Sequence, residues 1–379
     1  MATINYLYID DDKNAHGIVK NIENEDLEFN ALLPKTWNEQ IEDLIDNQSL
    51  NNYKGLLLDL KLEFTNNERE TNLEEKLENQ DALDKKKLIK FSGADLAQTI
   101  RTSIKAGKGI KDLPIFLCST DNLFMSYLDR TSFDLFDRKL NKTLDFKTKE
   151  STRKIFIEYS KAYEILLESD KIEDFIKKNI DEDEELNILK SEISKCHTSH
   201  EKIYLLDRHF IAESGSLLDE KLLAVRLGID IESSTYWHKF LNEVLHRFKY
   251  KGILSEVYDR WWNRDIIEFL RNELNINLKI LDSSTRVELL KNHFSNYDLK
   301  PIPLLKDHEF STYWYKCAIS DQPLDILDGL RTIEMPRYPW IEHKYVSKNY
   351  LLSDERDMER INLILGPNEK LILRELELE

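Results

Sequence analysis

The stretch Leu56–Leu60 reads LLLDL and places an aspartate, Asp59, directly after an apolar run. Residues 55–58 contain no polar side chain, which is typical of a strand buried on both faces of a parallel sheet. In open α/β sheets, ligands bind at the carboxyl ends of the strands. The sequence around Asp59 therefore predicts a parallel sheet with a carboxylate at its ligand-binding edge.

Four further apolar runs surround this one in the first 140 residues, and helical patterns alternate with them. This alternation predicts an α/β fold, with a doubly wound parallel sheet covered by helices on both faces. The predicted strands are Tyr6–Ile9, Leu27–Leu33, Gly55–Leu58, Pro114–Cys118 and Phe133–Phe136, and the predicted helices are Asn14–Asn24, Trp37–Ile45 and Ala94–Ile104.

The first predicted strand also ends in acidic residues, Asp10, Asp11 and Asp12. We expect Asp10, Asp11 and Asp59 to meet at one edge of the sheet, with the backbone carbonyl of Lys61 beside them. Mg²⁺ prefers such oxygen ligands, and it would offset the charge of a phosphoryl group that approaches Asp59, the nucleophile. The alternative is that the acidic run only caps the following helix.

Two other predicted strand ends carry groups suited to phosphoryl transfer. Ser119 directly follows Cys118 and could donate its hydroxyl to a phosphoryl oxygen. Lys139 follows the fifth predicted strand and would supply a positive charge to the same oxygens. The sequence thus predicts Asp59 as phosphoacceptor with Ser119 and Lys139 as partners. The alternatives are an ordinary helix cap and a surface lysine.

Five segments in this order resemble the receiver domain of two-component response regulators. They are YIDDD at Tyr8–Asp12, LLLDL at Leu56–Leu60, SGADLAQTIR at Ser92–Arg101, PIFLCS at Pro114–Ser119, and Lys139. The resemblance implies the flavodoxin-like (βα)5 fold, whose strand order is 2-1-3-4-5.

The resemblance also implies a function. The donor would be a phosphohistidine on a sensor histidine kinase or phosphotransfer protein. Phe136 matches the aromatic switch position, which is coupled in the family to the hydroxyl at Ser119. Leu140 departs from the family pattern, because a proline usually follows the lysine, and Thr120 replaces a smaller residue.

A charged segment at about residues 63–91 separates Asp59 from the next helix. It carries 8 acidic and 6 basic residues and no glycine or proline. Because βα loops usually have ~2–6 residues, we interpret it as an insertion, with a helix at Leu73–Leu88. It is either a solvated flap or a lid or docking surface beside the site.

The sequence predicts a domain boundary near residue 145. Residues 1–145 form the receiver domain, and residues 146–379 form a mainly α-helical output or interaction domain. Its aromatic residues, such as Trp237 and Trp314, are assigned to a core, with a partner-binding face as the alternative. Cys196, His197 and His200 are interpreted as structural or surface residues, because a zinc site needs about four ligands and no fourth is evident. Predicted helices are Ile155–Leu167, Ile172–Ile180, Leu217–Leu227, Tyr236–Phe248 and Ile253–Leu274.

The composition excludes several classes of protein. The net charge of the 379 residues is −17, so a DNA-binding output domain is disfavoured and no nucleic-acid partner is expected. The three cysteines form no disulfide pattern, and no apolar stretch is long enough to span a bilayer. The beginning of the chain lacks the features of a signal peptide. We therefore expect a cytoplasmic protein without a membrane partner.

The leading hypothesis is a phosphorylation-controlled signalling protein. Phosphorylation of Asp59 would change the contacts of the second domain with an output protein, or the protein would act as a phosphate sink. The first alternative is a pseudo-receiver that works as a phosphorylation-independent adaptor. A second is an enzyme in residues 146–379, although no catalytic motif supports it. The architecture resembles receivers linked to acidic helical domains in bacterial antiviral defence.

Overall fold

The chain forms two compact units. The structure is a computed structural model that describes residues 3–12, 14–63, 90–120, 134–180, 183–275, 277–306, 308, 310–353, 356, 357, 359, 361 and 365. The first unit comprises Met1–Glu182, Asn187–Asp207 and Gly252–Val257. The second comprises Asp183–Leu186, Arg208–Lys251 and Tyr258–Glu379.

The first unit contains a parallel sheet of five strands in the order β2-β1-β3-β4-β5. This confirms the predicted α/β architecture and the 2-1-3-4-5 order. The strands are β1 (Ile4–Ile9), β2 (Leu27–Leu32), β3 (Gly55–Asp59), β4 (Ile115–Ser119) and β5 (Arg138–Asn141).

The fifth strand differs from its predicted position. The sequence placed it at residues 133–136, where residue 133 lies outside the described part, but β5 begins only at Arg138. Phe136, which lies before β5, is buried among the apolar side chains of the sheet. Lys139 consequently lies inside β5 and not after it.

Helices flank this sheet within the first unit. The first two are short, and α2 continues as a π-helical turn at Glu42–Asp46. In α3, the Ser92 hydroxyl accepts the Asp95 N–H while the Asp95 carboxylate accepts the Ser92 N–H, a capping box that fixes where the helix begins. The helices are α1 (His16–Lys20), α2 (Trp37–Ile41), α3 (Gly93–Lys105), α4 (Lys149–Glu168), α5 (Ile172–Ile176), α6 (Glu184–Ser194, which spans both units) and α7 (Ser199–Leu206).

Both faces of the sheet are covered. On one face, Leu7, Leu58 and Leu117 pack with α3 side chains in a large apolar cluster. On the other face, the Phe156 ring of α4 packs edge-on against Phe116 of β4, with ring centroids 4.8 Å apart. Burial on both faces explains why β3 and β4 are apolar up to their last residues.

The residues that flank the charged segment form a two-stranded antiparallel ribbon. Lys61–Glu63 pairs with Lys90–Ser92, directly after β3 and directly before α3. The helix predicted at Leu73–Leu88 lies outside the described residues. The ribbon therefore begins two residues beyond Asp59.

The first unit extends past residue 145, where the sequence placed the boundary. It includes α4, α5 and α7, and it takes in Gly252–Val257 from later in the chain. Within it, the Ile253 N–H donates to the Phe175 carbonyl at 2.7 Å. The sheet and the helices that follow it thus belong to one packed body.

The second unit contains helices and short antiparallel strand pairs. Its tryptophans Trp237, Trp261 and Trp314 are all less than 10% exposed, which confirms their assignment to a core. The segment from Ile253 to Trp262, predicted as helix, is not helical, and the helix there begins at Asn263. The helices are α8 (Glu220–Leu227), α9 (Trp237–Glu243), α10 (Asn263–Leu274), α11 (Ser283–His293) and α12 (Lys348–Leu352).

No helix in the described part of the chain is both long and apolar enough to cross a membrane.

Candidate functional site

Two aspartates stand side by side at the carboxyl edge of the sheet. In the register of β1 and β3, Ile9 pairs with Leu58, so the next residues, Asp10 and Asp59, lie at the same level. Oxygens of Asp10, Asp11 and Asp59 all lie within 4.8 Å of one another. The structure therefore brings together the three carboxylates that the sequence predicted as metal ligands.

The Asp10 carboxylate is fully buried and held by several donors. Its Oδ1 accepts the backbone N–H of Asp12 at 2.9 Å, and its Oδ2 accepts the Tyr8 hydroxyl. The His16 ring lies 3.3 Å from the Asp10 carbonyl oxygen. Asp10 is thus a fixed part of the site and does not serve only as a helix cap.

The Asp59 carboxylate is 7% exposed and bonded on both oxygens. Oδ2 accepts the backbone N–H of Lys61 at 2.8 Å, and Oδ1 lies 2.5 Å from Nζ of Lys142. Burial raises the pKa of the Asp59 carboxyl, and the contact with Lys142 lowers it only in part. Burial is therefore the larger effect on Asp59, and a cation bound at the cluster would lower the pKa of its carboxyl.

Lys142 is the ammonium that contacts the two carboxylates. Its Nζ lies 2.5 Å from Asp10 Oδ2 and 2.5 Å from Asp59 Oδ1, and the residue is 9% exposed. Burial lowers the pKa of Lys142, but Asp59 and Asp10 together raise it above its ordinary value. Lys142 is thus a buried cation that bridges two acids.

The sequence assigned this role to Lys139, and the structure corrects the assignment. Lys139 pairs with Leu117, which pairs with Leu58, whereas Asp59 pairs with Cys118. Paired residues share a face of a sheet and successive residues alternate, so Lys139 projects from the face opposite Asp59. Lys142 is the first residue after β5 and meets the site from the strand end. If the sequence had shown that β5 ends at Asn141, Lys142 would have been the predicted lysine.

Ser119 and Phe136 occupy different surroundings. Ser119 is the last residue of β4, is 8% exposed, and its carbonyl accepts the Lys142 N–H at 2.8 Å. It therefore lies at the same edge as Asp59. Phe136 precedes β5 and is 1% exposed in the apolar cluster. Thr120, beside Ser119, is exposed at the same edge.

The ribbon after β3 determines the orientation of Lys61. The Gly93 N–H donates to the Leu60 carbonyl at 3.0 Å, so this pair is hydrogen-bonded across the ribbon. Antiparallel pairs alternate, which makes Lys61 and Ser92 a pair without hydrogen bonds between them. The backbone groups of Lys61 therefore face away from the ribbon, on the side where its N–H donates to Asp59.

Gly93 is a further site residue that the sequence reasoning did not single out. A Cβ atom at this position would lie 2.2 Å from the backbone carbonyl oxygen of Asp59. Only glycine allows α3 to begin so close to the end of β3. The signal in the sequence was the glycine directly after the capping residue Ser92.

Other candidate residues are not gathered in this way. Within the described ranges, Cys196, His197 and His200 do not form a group that could hold a metal ion. His200 is instead buried beside Asp137, with Nδ1 and Oδ1 3.2 Å apart. His200 thus has a structural contact within the first unit.

The donor set of the acidic cluster fits a hard divalent cation. Three carboxylates with one partly open member, Asp11, offer the oxygen ligands that Mg²⁺ prefers. The ammonium of Lys142 contacts two of them, which shows that these oxygens attract a cation.

Comparison of the chain with protein-family models, with curated proteins and with solved structures finds no match.

Proposed function

We propose that the first unit is a receiver domain that accepts a phosphoryl group on Asp59 in the presence of Mg²⁺. The observation that carries the proposal is the convergence of Asp10, Asp11, Asp59 and Lys142 at the carboxyl edge of a sheet with the 2-1-3-4-5 order. Such an edge is where doubly wound sheets bind their ligands.

Each residue has a defined part in this proposal. Asp10, Asp11 and Asp59, with the backbone carbonyl of Lys61, would hold the ion. Bound there, Mg²⁺ supplies positive charge that offsets the repulsion between the carboxylates and a phosphoryl group. Lys142, which takes the place of Lys139 in this proposal, moves from Asp59 to the phosphoryl oxygens, where its ammonium is a point charge.

The chemical step is a transfer between two nucleophiles. A carboxylate oxygen of Asp59 attacks phosphorus, the P–N bond of a phosphohistidine breaks, and the leaving imidazole nitrogen takes up a proton from water. The Ser119 hydroxyl donates to a phosphoryl oxygen of the product. In this proposal the phosphodonor is a histidine kinase or phosphotransfer protein.

The second unit is the output part of the proposal. A change at Ser119 and Lys142 on phosphorylation alters the contacts of the chain with an output protein, or the protein withdraws phosphoryl groups from another regulator. In this proposal the exchange takes place in the cytoplasm and without a membrane partner. We expect no nucleic-acid partner, because the chain carries a net charge of −17.

Intact-mass measurement tests the phosphoacceptor. The full chain is incubated with acetyl phosphate or phosphoramidate, with Mg²⁺ or with EDTA. We expect one phosphoryl adduct on the wild type with Mg²⁺, and its loss in Asp59→Asn. The adduct should be labile to hydroxylamine, as an acyl phosphate is and a phosphoserine is not.

Asp12→Asn is the matched control. Asp12 belongs to the same acidic run, but its carboxylate accepts the backbone N–H of Asn14. This variant should keep the adduct although it loses one negative charge near the site. A folded wild type that neither binds Mg²⁺ nor forms the adduct would contradict the proposal and favour the phosphorylation-independent adaptor.

A further inference from the structure

In the part of the chain that the structure describes, three groups hold the Asp10 carboxylate, and they differ in kind. Lys142 contributes a positive charge 2.5 Å from Oδ2, which a metal ion can replace. The other two donors are neutral. They are the backbone N–H of Asp12, which bonds Oδ1, and the hydroxyl of Tyr8, which bonds Oδ2. Among the described residues, Tyr8 is thus the side chain that would still orient Oδ2 after the ammonium leaves.

Tyr8 is placed rigidly for this contact. It lies on β1 two residues before Asp10, so both side chains project from the same face of the strand. The residue is fully buried, and its ring packs edge-on against His16, with centroids 5.8 Å apart. Because the ring cannot reach water, its hydroxyl must find its partner inside the protein, and Asp10 is that partner.

We propose that Tyr8 is a positioning residue for Asp10. Its hydroxyl holds Oδ2 of Asp10 in the orientation needed for a divalent cation. The inference rests on the proposed metal site and adds to it the group that sets its affinity. Hydrogen bonds to a ligating carboxylate fix its direction before the ion arrives, and their loss typically weakens metal binding ~10–100-fold. Without the hydroxyl, Oδ2 loses its neutral side-chain donor within the described part of the chain once Lys142 moves away.

Tyr6 provides a matched control on the same strand. It lies two residues before Tyr8, on the same face, and it is also fully buried. Its hydroxyl donates to the Phe156 carbonyl at 2.8 Å and contacts the Ser160 hydroxyl at 2.8 Å. Tyr6→Phe therefore removes the same atom from the same strand without touching the acidic cluster.

The experiment is a calorimetric titration of the full chain with MgCl2 for wild type, Tyr8→Phe and Tyr6→Phe. We expect the Kd of Tyr8→Phe to rise about tenfold, and that of Tyr6→Phe to stay within about twofold. At saturating Mg²⁺ the rate of phosphorylation by acetyl phosphate should recover in Tyr8→Phe, because the nucleophile is intact. A purely structural role of Tyr8 would lower thermal stability and leave the Kd unchanged.

A spectroscopic measurement keeps the inference testable if Tyr8→Phe folds poorly. When Mg²⁺ displaces the Lys142 ammonium from Asp10, the charge next to Asp10 Oδ2 changes. This oxygen accepts the Tyr8 hydroxyl, so the near-ultraviolet absorbance of tyrosine should shift during the titration. We expect the difference spectrum in wild type and in Tyr6→Phe, neither of which depends on how well Tyr8→Phe folds.

The outcomes separate the positioning role of Tyr8 from the proposed metal site on which it rests. If wild type binds Mg²⁺ and Tyr8→Phe binds it equally well, the positioning role is wrong and the metal site stands. The same holds if wild type and Tyr6→Phe bind Mg²⁺ without a tyrosine difference spectrum. If wild type binds no Mg²⁺, the proposed metal site fails, and the role of Tyr8 fails with it.

Discussion

Lys142 balances two buried carboxylates with a single ammonium. Asp10 and Asp59 are 0% and 7% exposed, and each has an oxygen 2.5 Å from Nζ of Lys142. Removing one partner of a buried ion pair leaves the other charge without compensation, which typically costs ~3–5 kcal/mol. The residue therefore stabilises the protein without the metal, in the place where we propose that the metal binds.

We predict that Lys142→Met lowers the free energy of unfolding in EDTA by about 3 kcal/mol. Saturating Mg²⁺ should then stabilise Lys142→Met more than it stabilises wild type, because the ion supplies the charge that the variant lacks. Urea unfolding of both proteins with EDTA and with Mg²⁺ measures this difference. An equal effect of Mg²⁺ on both proteins would contradict the prediction.

Lys35→Met is the matched control for this variant. Lys35 also lies 2.5 Å from an aspartate, Asp43, but their side chains are 41% and 32% exposed. Exposed pairs contribute only about 0–1 kcal/mol, because water screens them. This control should change the free energy of unfolding little and should not alter the effect of Mg²⁺.

The aspartates of the site could be predicted from sequence, and its lysine could not. Asp10 and Asp59 each follow a run of apolar residues, so their place at a strand end is a local signal. Arg138 and Lys139 put charges inside the last strand, which hides it from any hydrophobic pattern. Arg138 is tolerated there because its Nε donates to the Tyr159 hydroxyl at 2.8 Å, a contact that folding alone creates.

At the level of whole elements, a buried polar network ties α7 to the amino ends of β4 and β5. Asp137, just before β5, accepts the Ile115 N–H and the Arg101 guanidinium, both at 2.8 Å. It also accepts the Tyr163 hydroxyl at 2.9 Å and faces His200 of α7. The network lies at the opposite edge of the sheet from Asp59, so its role is to hold the helices in place.

This network makes stability depend on pH in a direction that can be derived. Burial raises the pKa of Asp137, but His200 and Arg101 outweigh it and hold the pKa below its ordinary value of 3.8. A lowered pKa in the folded state contributes stability above the unfolded value, and the contribution disappears as the pH falls through the folded value.

We therefore predict that Asp137→Asn destabilises the protein most above about pH 5, by roughly 3–5 kcal/mol, and progressively less below pH 3.8. At low pH the wild type has lost the same charge, so the two free energies of unfolding converge. Urea unfolding between pH 3 and pH 7 measures the difference. A constant difference across this range would disprove the electrostatic origin.

The control for this prediction is Asp170→Asn. The pKa of Asp170 is also lowered, by Lys202, but the carboxylate is almost fully exposed. Solvent screens such a pair, so the variant should follow the wild type at every pH.

At the level of the whole molecule, the first unit is built from three separate parts of the chain. The sheet ends with Asn141, but the face formed by Tyr6, Phe29 and Phe116 is closed by Phe156 of α4, with ring centroids 5.0, 5.0 and 4.8 Å away. Sequence patterns indicated a change of character near residue 145, because the strands end there. They could not show that the next helix completes the same core, since packing between elements has no local pattern.

This arrangement predicts the behaviour of two fragments. Residues 1–145 lack α4 and would expose the aromatic face of the sheet, so we expect no cooperative unfolding transition and aggregation. Residues 1–207 retain α4 and α7 and should fold, although less stably than the first unit in the full chain, because the bond from the Ile253 N–H to the Phe175 carbonyl is lost. Urea unfolding and near-ultraviolet circular dichroism distinguish the two fragments. If residues 1–145 unfold cooperatively at the same urea concentration as residues 1–207, then α4 does not complete the core, and the boundary near 145 is correct after all.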